Sequence, residues 1–417
     1  MKKILFTIIT GCIAFQVQAQ HLQWFNANYP DAGTEISIDG DGLIGSDAIT
    51  TKFMNTYAGN KFIEKSVKDG SFTKMGSRSK IGSYLNAGAY MKTRHTHSDD
   101  STETYLKLAL RYRTHFNSSF PADLFGLYFY GNKKFAGTQA DISDFNYEAI
   151  QYQQLQFGYG KIKKSGSSEF EYYGGISFLN GQSYLDISTT RGSIYTQPDG
   201  EYADLDIRLE SRQSDTTKSN FGSSNGLGAS LDLMVSYKME NEIRISLSAT
   251  DIGMIAWNNK TSYFVVDTTY RFEGLSVNNL FDSLYLDITS EAEFVDGFKE
   301  DRKKEGFTSV LPARFQLEVS KPFLDHKLEV YVGVNHFLNA DYTPQVIAGG
   351  NYFISKSFVA GISAGFGGYT EFSAGITLGA DLGHGFIITA GTNYLTGLID
   401  QDNSTAEGGY GSLRFMF

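Results

Sequence analysis

Period-two alternation, held for about ten residues at a time and repeated down to the last residue, restricts what this chain can fold into. From Glu371 to Asp381, Phe372, Ala374, Ile376, Leu378 and Ala380 share one face. Glu371, Ser373, Thr377 and Asp381, with Gly375 and Gly379, share the other. Leu328, Val330, Val332 and Val334 likewise alternate with Glu329, Tyr331, Gly333 and Asn335, and Leu106, Leu108 and Leu110 with Lys107, Ala109, Arg111 and Arg113. Leu231, Leu233 and Val235 alternate with Asp232, Met234 and Ser236, and Phe315, Leu317 and Val319 with Arg314, Gln316 and Glu318. Strands of soluble sandwiches are usually ~5–6 residues, whereas a tilted strand of ~9–11 residues spans a bilayer. A sandwich core would not accept full charges and glycines on its inner face. A wall with lipid outside and a wet lumen inside accepts both.

The pattern predicts an all-β, antiparallel transmembrane barrel of fourteen strands. They lie near 79–95, 103–117, 147–163, 168–186, 197–211, 225–238, 243–257, 308–321, 327–339, 343–355, 357–367, 370–382, 386–396 and 408–417. If the last strand descends into the periplasm, the tight links at Met239–Asn241, Pro322–His326, Lys356 and Gly383–Gly385 fall on the periplasmic side. The longer links Arg212–Ser224, Asn258–Phe307 and Thr396–Glu407 then fall outside, the asymmetry expected of such barrels. One stretch breaks the rule: Asn117–Asn146 is about thirty residues long and is assigned to the periplasm by the same count. Within it, Ser118, Ser119, Pro121 and Asp123 resemble a helix start ahead of Leu124–Phe129.

Both ends of the chain carry export signals. Lys2 and Lys3 precede the apolar run Ile4–Phe15, and Val17-Gln18-Ala19 is a small-x-Ala site, so residues 1–19 read as a cleaved signal peptide. Cleavage removes two lysines and no acid, making the net charge more negative than −10, and it removes Cys12, the single cysteine. The mature protein then holds no disulfide and relies on packing and ladder hydrogen bonds. Ile9-Thr10-Gly11-Cys12 resembles a lipoprotein box, but the apolar run continues through Ile13, Ala14 and Phe15, which disfavours lipidation of Cys12. The last strand, Tyr410–Phe417, ends on an aromatic, so Phe415 and Phe417 are the expected insertion signal read by the barrel-assembly machinery.

Eight strands can be filled by their own side chains, and sixteen to eighteen leave a channel. Fourteen fall between, so the lumen is either open or plugged; residues 20–78 are the candidate plug segment, with the barrel over 79–417. The plug segment holds Trp24, Phe25, Tyr29 and Pro30, the run Asp39-Gly40-Asp41-Gly42, and a helical stretch at Lys52–Lys68. Phe53, Tyr57, Ile63 and Val67 recur there at helical spacing, with Gly70 placed to end it. Asp39, Asp41 and Asp47 lack the twelfth-position glutamate of an EF-type loop and read as turn residues rather than calcium ligands.

Lys107, Arg111, Arg113, Asp232, Arg244, Arg314, Glu318, Glu329, Glu371, Asp381 and Arg414 all occupy the polar strand faces. A charge facing mid-bilayer lipid costs ~2–4 kcal/mol, so these are lumen-facing candidates. Charge pairs that fill the lumen are the preferred reading, and a polar pathway or plug dock is the alternative.

No enzymatic, metal or cofactor chemistry is expected. Gly361-Ile362-Ser363-Ala364-Gly365 matches a nucleophile elbow, with Asp381 and His384 following, yet the alternation continues where a helix should begin. His95 and His97 with Asp99 and Asp100 read as a solvated outer hairpin tip rather than a metal site. The acidic balance without a basic cluster argues against nucleic acid.

Several stretches together resemble a Bacteroidota family of outer-membrane barrels of unknown function, the DUF5723 type. They are Phe120-Pro121-Ala122-Asp123-Leu124 with Gly131-Asn132, the block Tyr173–Thr196, Ala249-Thr250-Asp251-Ile252-Gly253 before Trp257, Phe272-Glu273-Gly274-Leu275, and Leu311-Pro312-Ala313-Arg314. That family is distantly similar to the fatty-acid transporter FadL and to the PorV and PorQ barrels of type IX secretion. The resemblance implies a fourteen-stranded barrel with an N-terminal plug and assigns no substrate. The early Asn-Pro-Ala/Ser motif of the family is absent, with Asn28-Tyr29-Pro30 in its place. Two functions follow as expectations. One is passage of a small hydrophobic or amphipathic molecule past the plug. The other is a non-transporting scaffold or partner in type IX secretion, gliding or surface-protein assembly. Outer-membrane lipid is the surrounding partner in both.

Overall fold

The computed structural model describes residues 24–96, 101–215, 222–273 and 303–417. The signal peptide, Cys12, His97, Asp99, Asp100, Gly274-Leu275 and most of the Asn258–Phe307 link lie outside these residues. In chain order the strands are β1 (Thr34–Ser46), β2 (Arg78–Thr96), β3 (Thr102–Pro121), β4 (Gln139–Asp141), β5 (Asn146–Ser165), β6 (Ser168–Thr196), β7 (Ala203–Gln213), β8 (Gly226–Lys238) and β9 (Arg244–Trp257). There follow β10 (Ser262–Phe272), β11 (Thr308–Val310), β12 (Arg314–Phe323), β13 (Leu328–Phe337), β14 (Thr343–Ser355), β15 (Phe358–Gly368), β16 (Phe372–Asp381), β17 (Phe386–Thr392) and β18 (Ala406–Met416).

Fourteen of these close an antiparallel ring, in the order β1, β2, β3, β5, β6, β8, β9, β12 to β18 and back to β1. The count agrees with the sequence; the membership does not. Residues 34–46, assigned to the plug, are a wall strand: β1 pairs with β18 from Glu35↔Met416 to Gly45↔Ala406 and with β2 from Thr34↔Thr93 to Ser46↔Ile81. Ile36 and Ile38 face outward, while Glu35, Ser37, Asp39 and Asp41 face inward and are buried. The 197–211 segment, assigned to the wall, is β7. It pairs with Leu185–Thr196 of β6 and with β10, beyond the ring. β6 is 29 residues long, roughly 95 Å at strand rise, far more than a bilayer needs. Its outer part carries β7 and β10 on one edge and β4 on the other.

Exchanging these two strands inverts the side of everything upstream of β7. Asn117–Asn146 thereby joins the long links at the end where β1 finishes, and the asymmetry becomes consistent. The turns after β2, β5, β8, β12, β14 and β16 share the opposite end with Phe417, so His95 belongs to the tight-turn end and not to an outer tip.

A belt of exposed Leu106, Leu108, Leu110, Phe157, Ile176, Leu227, Val332, Ile362 and Leu378 surrounds the ring. The chain therefore crosses the membrane with strands; among the described residues no helix is long and apolar enough to do so.

Among the described residues, four α-helices lie at the long-link end: α1 (Thr51–Ala58), α2 (Lys65–Phe72), α3 (Ala122–Tyr130) and α4 (Leu395–Ile399). The expected single helix over 52–68 is two, because Gly59 and Asn60, the latter at φ 52°, interrupt it; Gly70 lies inside α2 and does not end it. Thr50 caps α1 through the Phe53 N–H. The stripe of Phe53, Tyr57, Ile63 and Val67 packs with Phe125 and Phe129 of α3 against Ile44, Ile81 and Phe120. Ile44 shares the outward face with Ile36 and Ile38. The helices are thus a collar on the outer side of the wall, not a filling for the lumen. β17 stops at Thr392, so the ladder of β16 with β17 covers only Ile376–Asp381; α4 packs beside β16 and β18 where the strand is missing.

Candidate functional site

The lumen is occupied in three layers. At the tight-turn mouth the segment 24–29 lies inside the ring. Trp24 and Phe25 pack on Val359, Ile387 and Met416, which point inward from β15, β17 and β18. Arg414, fully buried, donates to the Trp24 carbonyl at 2.6 Å and to Asn26 Oδ1 at 2.9 Å. Asp381 accepts from Asn28 Nδ2 at 2.8 Å and from the Tyr29 hydroxyl at 2.7 Å, and Asn28 Nδ2 also donates to the Lys356 carbonyl. The Trp24 ring lies where a Cβ on Gly379 would come within 2.9 Å of it, so the glycine makes room for that segment.

At the waist, charges from facing walls meet. Arg111 pairs with Asp39 at 2.9 Å, Arg113 with Asp251 at 3.2 Å and Arg314 with Asp41 at 3.5 Å. β1 and β12 are seven strands apart in either direction, so Arg314–Asp41 spans the lumen. A circular ring of fourteen strands, ~4.8 Å apart and tilted ~40°, would be about 28 Å across. An arginine and an aspartate end to end cover roughly half of that. The ring is therefore flattened, and side chains of opposite walls meet across its waist.

Around the waist pairs, Asn86 Nδ2 donates to Asp41 at 2.6 Å, Gln156 Nε2 to Asp232 at 2.6 Å and Gln154 Nε2 to Asp251 at 3.2 Å. Lys107 lies between the rings of Tyr90 and Tyr173, at 4.6 and 5.7 Å from their centroids. Nearer the tight-turn end Arg244 pairs with Glu169 at 3.0 Å, and Glu329 accepts from Asn351. Glu318, with Ser246, Ser248, Tyr331, Val334 and Ile347, lines a small cavity of about 50 Å³ with both polar and apolar walls.

The third layer is aromatic and lies toward the long-link end. Tyr84 of β2 packs against Phe337 of β13, with Tyr342, Tyr369 and Tyr394 around them, and Tyr369 meets His115 at 3.1 Å. A second cluster joins Tyr152, Tyr184, Trp257 and Phe307.

Of the charged residues singled out in the sequence, Lys107, Arg111, Arg113, Asp232, Arg244, Arg314, Glu318, Glu329, Asp381 and Arg414 lie on the strand face opposite the exposed apolar belt. Glu371 does not: it precedes β16, in the bend at the rim, and is exposed. Phe415 and Phe417 point outward from the seam strand, their rings 5.5 Å apart. Ser363 lies in mid-strand, paired with Gly349 and Gly375, so the elbow-like sequence makes no elbow, and Asp381 is committed to the segment 24–29.

Sequence reasoning missed the acids that balance the waist. Asp39 and Asp41 were read as a turn because their glycine spacing outweighed the alternation of Glu35, Ile36, Ser37 and Ile38. Asp251 belongs to a β-bulge, at φ 58°, where the register of β8 with β9 shifts. Its N–H donates to Asp232, and the bulge turns its carboxylate inward. Opposite it, Leu311 N–H donates to the Gly253 carbonyl at 3.0 Å, and the regular ladder lapses from Pro312, which offers no N–H, until Arg314.

Outside the membrane span, burial and a hydrogen bond with Tyr128 push the Tyr57 hydroxyl of the collar up to about 12. Asp69 is held below the usual carboxylate range by its hydrogen bonds from Lys65 and Tyr130. On the protruding sheet, Arg271 lowers Asp204, and Arg191 with Arg208 lowers Asp267.

Among solved structures the chain resembles the Pseudomonas putida toluene transporter TodX, with 8% identity over 94% of this chain and 91% of that one, at a TM-score of 0.44. The Ralstonia pickettii toluene transporter TbuX matches at 8% identity over 92% and 89%, TM-score 0.43. A Pseudomonas aeruginosa FadL homologue matches at 10% over 92% and 89%, TM-score 0.41. No curated protein matches the chain in sequence. The profile of the family of unknown function DUF5723 matches residues 32–391, and the chain belongs to that family.

Proposed function

We propose that this protein is exported through a cleaved signal peptide, inserted into the outer membrane by the barrel-assembly machinery through Phe415 and Phe417, and passes a small amphipathic molecule through its lumen. One observation supports the reading: the segment Trp24–Tyr29 lies in the tight-turn mouth and is held there through side chains. Trp24–Tyr29 adds no strand to the sheet; its anchors are Arg414, Asp381 and the apolar seat of Val359, Ile387 and Met416. A closure built this way releases without breaking the wall. The lumen's sequence of aromatic layer, charged waist and apolar seat favours a solute with both apolar and polar parts. The missing upper half of β17, filled by α4 instead of ladder pairing, supports transport over scaffolding, because a helical turn in a wall moves more readily than a paired strand.

The test is ion conductance in planar bilayers. Arg414→Leu combined with Asp381→Ala removes both polar anchors and leaves the apolar seat intact. A folded, heat-modifiable double variant should flicker between closed and conducting states that the wild type lacks. Conductance identical to wild type would overturn the plug as the gate.

A further inference from the structure

On the inner face of the wall, toward the tight-turn end, two lysines stand side by side without an acid of their own. Lys92 of β2 and Lys107 of β3 are direct cross-strand neighbours, so their stems leave the wall about 5 Å apart. Like charges set directly opposite each other repel and cost stability. The charged groups that face Lys92 are Arg94, Arg414, Glu35 and Glu171, and those that face Lys107 are Arg111, Lys92, Asp39 and Asp232. Every acid among them is bonded elsewhere. Glu35 accepts from the Tyr90 hydroxyl and lies 3.8 Å from Arg94, and Glu171 accepts from the Tyr105 hydroxyl at 2.8 Å. Asp39 is paired with Arg111, and Asp232 accepts from Gln156 and from the Asp251 N–H. Among the described residues neither lysine forms an ion pair.

What holds the two ammoniums is aromatic. Lys92 Nζ lies 4.1 Å from the Tyr105 centroid, while Lys107 lies between Tyr90 and Tyr173. The Tyr105 and Tyr173 rings are stacked at 6.0 Å and lie against the wall, because Gly160 and Gly158 put no Cβ in their way. A ring face attracts an ammonium without cancelling its charge, and it leaves N–H donors for an acceptor in the lumen. Both lysines are half-buried rather than sealed, so a solute in the lumen reaches them. One carboxylate balances one ammonium; two neighbouring ammoniums balance a dianion. Lysine is a compact point charge on a flexible stem, which suits a tetrahedral oxyanion, whereas a planar carboxylate is matched by the fork of arginine. We propose that Lys92 and Lys107 form a binding site for a phosphate dianion, carried as a phosphomonoester on the amphipathic solute or free as inorganic phosphate. The use of the site rests on passage through the lumen; its occupancy does not.

The test is equilibrium binding to the full mature chain in detergent micelles, read by titration calorimetry. It is run at pH 7, where a phosphomonoester is mostly dianionic because its second pKa is about 6. The probes are phenyl phosphate, sodium phosphate and benzoate. Phenyl phosphate should bind about tenfold more tightly than benzoate, the worth of one further charge-assisted hydrogen bond. Phenyl phosphate binding more tightly than sodium phosphate assigns the site to an ester-bearing solute; sodium phosphate binding as tightly or more so assigns it to the free ion. Lys92→Gln and Lys107→Gln should each weaken phenyl phosphate by about tenfold while heat modifiability is retained. Lys163→Gln, at an exposed position near the same end of β5, should leave the affinity unchanged. Absent binding, benzoate binding as tightly as phenyl phosphate, or an affinity that neither lysine variant moves or that Lys163→Gln lowers equally, would overturn the site. Binding by a chain whose double variant described above never conducts would overturn passage and leave the site standing.

Discussion

Residues 24–29 and residues 51–72 are both aromatic-rich, both precede the first strand that alternates visibly, and are separated by little more than β1. They finish on opposite sides of the wall and at opposite ends of the molecule. The first lies in the lumen at the tight-turn mouth; the second wraps the outer face near the rim. The strand between them explains the difference. Because β1 crosses in the wall, whatever precedes it must begin at one end and whatever follows must emerge at the other. Similar composition therefore serves unlike ends: Trp24 and Phe25 pack inside the ring, while Phe53 and Tyr57 cover its outer face.

This contrast breaks most sharply at β1 itself. A chain beginning at Ser79 loses a wall strand with ladders to both neighbours, and it should give no heat-modifiable band on unboiled gels. A chain lacking only residues 24–32 should still insert and should conduct. Equal insertion of the two truncations would mean that β1 is dispensable. Deleting Phe415–Phe417 should strand the chain in the periplasm for degradation, read by fractionation; normal assembly would remove those aromatics as the insertion signal.

Substitutions sharpen the comparison further. Asp41→Ala leaves Arg314 without its partner across the lumen and should cost about 3–5 kcal/mol in denaturant unfolding, the usual penalty for orphaning a buried charge. Phe53→Ala, on the collar, should cost a similar ~3–5 kcal/mol of local cavity energy, yet leave conductance at the wild-type level. A conductance change in that variant would tie the collar to the lumen.

The smallest effect concerns pH at the protruding sheet. Asp204 and Asp267 titrate below their ordinary value, so their contribution is present above the usual carboxylate range and is lost as pH falls through the lowered value. Amide exchange in β7 and β10 should accelerate below about pH 4, and earlier in high salt, while the ring stays protected. Uniform protection down to pH 2 would show that the ion pairs add nothing.

Most of the wall was legible because alternation is a direct imprint of a surface with lipid on one side and water on the other. β7 imitates a wall strand because a sheet with one charged and one apolar face alternates wherever it stands; Asp204, Asp206 and Arg208 against Leu205, Ile207 and Leu209 carry no mark of height above the membrane. β1 was hidden for the opposite reason: Gly40 and Gly42 replace two outward-facing apolar residues and erase half the pattern. At the lumen, residue type told which side chains turn inward but not which would meet. Partners such as Arg314 and Asp41 are far apart in sequence, and only the flattening of the ring brings them together.

The seam between β1 and β18 carries a consequence for biogenesis. Thr34 and Phe417 exchange backbone hydrogen bonds, each at 2.9 Å, so the first and last residues of the wall are neighbours. The wall cannot close until its last strand has been made. The same adjacency makes the ring indifferent to where its ends are cut. A short linker joining the region of Thr34 to Phe417, with new termini at the Gly166-Ser167 turn, would preserve every ladder of the wall. Position along the gene and position around the pore are, in this protein, independent choices.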